Sequence, residues 1–62
     1  MNLINSEEIP MGFGMALMNN TRAYTRFIGL PPEEQRALID GVHTISSKSA
    51  MRDYVNRIAL QG

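Results

Sequence analysis

Cysteine and tryptophan are absent from this 62-residue chain, and histidine occurs once, at His43. Without cysteine there are no disulfides and no thiolate metal ligands. A lone histidine with no carboxylate cluster around it does not make a metal centre either. Neither charge is in excess, since six Lys and Arg balance six Asp and Glu for a formal net charge of zero. Affinity for nucleic acid rests largely on phosphates neutralised by basic side chains, so this balance counts against a nucleic-acid partner. Residues 1–10 contain Glu7, Glu8 and Pro10 but no Lys or Arg, which is not how a secretory leader begins. The longest apolar-rich stretch, Ile9 to Met18, falls well short of the roughly 20 residues a membrane span requires. These absences read as a cytoplasmic protein with no membrane segment, no metal and no cofactor.

Apolar residues make up 44% of the chain, too many for a disordered segment of modest charge. No stretch alternates at period two over strand length, and Asp40-Gly41 lies inside a helical pattern rather than between two strands. The expected fold is all-α: one domain over 1–62, a bundle of about four short helices at approximately 8–19, 21–28, 32–44 and 47–60, with 1–6 frayed. A domain of this size buries only about 60% of the surface its unfolded chain exposes. Good helix packing or oligomerisation must therefore supply what disulfides and metals do not.

Punctuation fixes the helix limits. Ser6 is suited to cap the first helix, with Glu7, Glu8 and Pro10 in its first turn. Ile9, Phe13, Ala16 and Leu17 then follow at helical spacing. Asn19 and Asn20 close that helix, and Asn20 is placed to cap the next. On the second helix Ala23, Tyr24, Phe27 and Ile28 share a face. Gly29 stands where a left-handed residue ends a helix, followed by Leu30 and two prolines. Pro32 opens the third helix, Glu33 and Glu34 favour its N-terminal dipole, and Leu38, Ile39, Val42 and Ile45 form its stripe. Gly41, in the interior of that helix, points to a close helix crossing. Ser46 or Ser47 caps the fourth helix, whose stripe is Met51, Tyr54, Val55 and Ile58, with Asp53 and Arg57 spaced to pair.

Three sets of residues are candidates for function. Asp40, His43 and Ser46 or Ser47 supply an acid, a base and a hydroxyl. A catalytic set needs these within hydrogen-bond reach and an oxyanion donor beside them. The plainer reading has His43 answering the free carbonyls of a helix end and the serines acting as caps, and the chain is read as no enzyme. Met11, Met15 and Met18 recur at i, i+4, i+7, nearly opposite Ile9, Phe13 and Leu17. A helix apolar all round is normally covered on both sides. The methionines are thus either core, wrapped by the other helices, or an interface for a protein partner or a second copy of the chain. Gly12 and Gly14 beside them either permit close helix approach or loosen the helix. The third set is basic: Arg22 and Arg26 on the second helix, Lys48, Arg52 and Arg57 on the fourth. It is a solvated face, a dock for an acidic partner or, with the third and fourth helices imitating a helix-turn-helix, a nucleic-acid surface. The leading expectation is a non-enzymatic interaction module, with a small DNA-binding or regulatory module as the alternative.

The segments "IPMGFGMAL", "NNTRAYTRFIGLPPEEQRALIDGV" and "SKSAMRDYVNRI" together have a familiar rhythm. Through Ile9, Pro10, Leu17, Ala23, Phe27, Leu30, Arg36, Arg52 and Ile58 the chain resembles the C-terminal helical region of the bacterial bacteriocin-protection family, also called the OmpD-associated (YdeI/OmdA) family. It departs from that pattern at Gly41, where the family tends to carry an aromatic residue, and in its sparser arginines in the last helix. The resemblance implies the helical layout and a bacterial origin. It carries over no functional residue.

Overall fold

The computed structural model describes residues 9–61, and these form four helices: α1 (Met11–Met18), α2 (Thr21–Gly29), α3 (Pro32–Val42) and α4 (Lys48–Leu60). There is no strand among the described residues. The expected all-α bundle is therefore the fold. The expected fraying of 1–6 and the Ser6 cap lie outside the described residues.

Prolines shift two boundaries from where periodicity put them. A residue before proline is pushed out of the helical region. Ile9 precedes Pro10, and Pro10 itself is extended at ψ 140°, so α1 begins at Met11 and not near residue 8. At the end of α2 no glycine has positive φ. Gly29 is simply the last helical residue. The turn is made instead by Leu30, extended at φ −78°, ψ 152° because Pro31 follows it. Pro31 is extended too, and its carbonyl accepts from Glu34 N and Gln35 N at 3.0 Å each, which starts α3 at Pro32. α3 stops at Val42, before the expected residue 44. His43 N reaches back three residues to Asp40 O at 3.3 Å, and Thr44 Oγ1 takes Gly41 O at 2.9 Å, the tightening by which helix ends satisfy their carbonyls.

Caps hold the other two starts. Asn20 Oδ1 accepts from Ala23 N at 3.1 Å, and Ser47 Oγ from Ala50 N at 3.1 Å. Asn20 also donates from Nδ2 to Asn56 Oδ1 at 3.0 Å, tying the α1–α2 corner to α4.

α4 packs on α1 and α2, and its Val55 and Ile58 meet Phe13, Leu17, Ala23 and Phe27. Ile39 and Val42 of α3 complete the core. Phe13 is its hub: its ring meets Phe27 edge-on at 5.4 Å and Tyr54 at 6.0 Å, an arrangement aromatic quadrupoles favour. Two polar links attach α3. Gln35, 4% exposed, donates from Nε2 to Phe27 O at 2.8 Å. The Tyr54 hydroxyl donates to Leu38 O at 2.6 Å. It passes so close to Gly41 that a Cβ there would stand 2.6 Å from it. Burial raises the Tyr54 pKa, opposed by the Arg57 charge, so the phenol keeps its proton and its donor role.

Candidate functional site: the methionine ridge and the α1/α4 groove

α1 is eight residues long, carries no charge and is apolar on every side. Phe13 and Leu17 turn into the core. At about 100° per residue, Met11, Met15 and Met18 must then look the other way. They are 80%, 59% and 78% exposed, so the methionine stripe is surface and not core. It continues onto α2. Met18 flanks a shallow depression with Thr21 and Tyr24, and Ile28 lies one turn beyond Tyr24. Tyr24 and Ile28 are 45% and 50% exposed, so only the Ala23 and Phe27 side of α2 is buried. The result is an apolar ridge crossing two helices.

Beside the ridge runs a half-open groove of about 520 Å³ between α1 and the first half of α4. Gly12, Met15 and Ala16 form one wall, and Met51 and Val55 the other. Lys48 and Arg52, one helical turn apart, line it as well, as do Asn19 and Asn20 after α1 and Ile45, Ser46 and Ser47 before α4. A Cβ on Gly12 would meet nothing within 4 Å, and one on Gly14 only Ile9 Cγ2 at 3.6 Å. Neither glycine permits a close helix approach, and Gly12 leaves the groove wide.

Of the five basic candidates, two line the groove and three do not. Lys48 and Arg52 border the groove. Arg57, five residues beyond Arg52, is turned about 140° round the helix, and its guanidinium lies 5.8 Å from the Tyr54 ring centroid instead of pairing with Asp53. Arg22 and Arg26 belong to α2, outside the groove lining. The acid–base–hydroxyl set is not assembled. Among the described residues no side-chain hydrogen bond joins His43 to Asp40, Ser46 or Ser47, all four are exposed, and the Ser47 hydroxyl serves as a cap. No group of three or more His, Asp or Glu among the described residues is placed to hold a metal ion, and no helix there is long and apolar enough to cross a membrane.

Sequence reading missed the groove and Gln35. Gln35 was legible in principle, because it sits three and four residues before Leu38 and Ile39 on the buried stripe. A polar residue on such a stripe signals a buried donor with a partner. The groove was not legible, because it depends on which helix lies beside α1.

The class so defined is a small four-helix domain with an uncovered apolar ridge and an adjacent apolar groove bordered by cations. No protein-family model, curated protein or solved structure matches the chain.

Proposed function

We propose that this chain is a non-enzymatic protein-interaction module, of a bacterial cytoplasmic protein, that docks a helical partner on its methionine ridge and groove. The observation that carries the reading is the exposure of Met11, Met15 and Met18 on the face of α1 opposite its buried side. Removing one methionine side chain from water is worth about 1.5–3 kcal/mol, and contiguous exposed apolar patches on small domains commonly mark binding surfaces. Methionine suits the task because its unbranched, polarisable side chain moulds to different partners. The bacterial and cytoplasmic parts of the reading rest on the family resemblance and on the absence of cysteine.

The test is a selection of helical peptides against the intact chain, followed by Met15→Asp and, as a control, Ala37→Asp on the exposed side of α3. Selected peptides should lose about tenfold or more in affinity on Met15→Asp, an energetically central contact, and nothing on Ala37→Asp. Far-UV circular dichroism should be unchanged in both, since neither side chain is in the core. Met18→Asp serves as a second probe of the ridge. Peptides indifferent to both methionine substitutions would put docking elsewhere and overturn the reading.

A further inference from the structure

We infer that the α1/α4 groove selects a partner helix whose apolar stripe is flanked by carboxylates, with Lys48 and Arg52 as the selecting residues. This rests on the docking function proposed above and names the chemistry of the partner.

Among the described residues the charge pattern around the groove is one-sided. None of the described residues lining it is Asp or Glu, and α1 contributes no charge at all. Lys48 and Arg52 lie four residues apart on one face of α4, and among the described residues neither is paired with a carboxylate. The N-terminus of α4 lies at the same end, and its dipole adds positive potential there. The acid nearest in sequence, Asp53, is turned about 100° from Arg52 and is not among the groove residues. The other acids of the described helices, Glu33, Glu34 and Asp40, all belong to α3.

Floor and rim together define the occupant. Met15, Ala16, Met51 and Val55 offer apolar contact along one trough, as a groove for an amphipathic helix does. The rim requires negative charge beside that apolar stripe. A second copy of the chain fits poorly. A two-fold contact sets the same patch against itself, so Lys48 and Arg52 would face their own copies or an uncharged α1. A nucleic acid would meet the two cations but leave the apolar walls against phosphate and water.

The experiment uses three fluorescein-labelled synthetic peptides of about four helical turns, sharing one leucine stripe. They carry Glu, Gln or Lys at the flanking positions, and anisotropy on the full chain is read at low salt. The Glu peptide should bind roughly two- to thirty-fold tighter than the Gln peptide, the range expected for two exposed ion pairs, with the Lys peptide weakest. Added salt should narrow the gap. In the Lys48→Glu/Arg52→Glu variant the order should invert in favour of the Lys peptide. Acids in the first turns of α4 suit its dipole, so this variant keeps its helicity, which circular dichroism verifies. Equal binding of the three peptides, lost on Met15→Asp, would overturn the charge selection and leave the docking function standing. Self-association with no peptide bound would make a second copy the occupant, again overturning only this inference. Absence of both, or displacement of the Glu peptide by a short DNA duplex, would overturn the two together.

Discussion

Gly41 and Tyr54 are fitted to each other. The hydroxyl of Tyr54 crosses the surface of α3 to reach Leu38 O at 2.6 Å, and it does so through the space that any side chain at position 41 would fill. Glycine in a helix interior costs about 1 kcal/mol relative to alanine, so Gly41→Ala taken alone would stabilise α3. Here the new Cβ would displace the hydroxyl, losing a hydrogen bond worth about 1 kcal/mol and crowding the ring at a further cost of about 1–3 kcal/mol. Gly41→Ala is therefore expected to destabilise the domain by about 1–3 kcal/mol in urea unfolding. The sign should reverse in a Tyr54→Phe background. There the nearest atom to the new Cβ is ring Cζ at 3.4 Å, which is ordinary contact, and the helix-propensity gain remains. A cycle whose two substitutions simply add would mean that the crossing is not the reason for the glycine. The sequence alone put a close crossing at Gly41, but it did not say that a tyrosine hydroxyl makes it.

The helices themselves were legible because their apolar residues recur at helical spacing and their caps are spelled out by Asn20, Ser47 and Pro32. Two misjudged limits lie next to Pro10 and Pro31, where the effect of proline on its predecessor outweighed both the apolar period and the C-terminal glycine habit; a third is the end of α3, at Val42 and not residue 44. How the elements attach was less legible. α3 is joined to the bundle partly through Gln35, which donates into the end of α2 at Phe27 O, a carbonyl also taken by Leu30 N at 3.1 Å. This side chain bridges the Leu30–Pro31 turn, from the first turns of α3 to the end of α2. Gln35→Met keeps the volume and removes the donor. It is expected to cost about 1 kcal/mol, and so to lower the melting temperature by roughly 4–8 °C for a domain of this size. A melting temperature within a degree of the parent would mean that the apolar contacts of Ile39 and Val42, with the Tyr54–Leu38 hydrogen bond, hold α3 in place without Gln35.

Across the whole molecule the principal extents are 33 × 24 × 17 Å. With helix axes packing at about 8–10 Å, the short dimension leaves room for about two layers. In a slab that thin a helix is covered on one side, which is why the all-round apolar α1 keeps its methionines in water. Spacing in the sequence was enough to mark Met11, Met15 and Met18 as a set, yet core and surface differ only in whether a third layer exists. That is a property of the assembled chain. Phe13 and Ala23 are fully buried and Val55 nearly so, without help from the methionine ridge. The core is thus closed within one copy, and the ridge is not needed to complete it. The chain is accordingly expected to sediment as a monomer and to hold its helical circular dichroism on dilution, because no stabilisation is lost by mass action. A dimer whose helix content falls as it dissociates would mean instead that α1 is stable only when a second copy covers it. The groove bordered by Lys48 and Arg52 would then belong to a self-association surface. A monomer that keeps its helices leaves the ridge and the groove accessible to another protein.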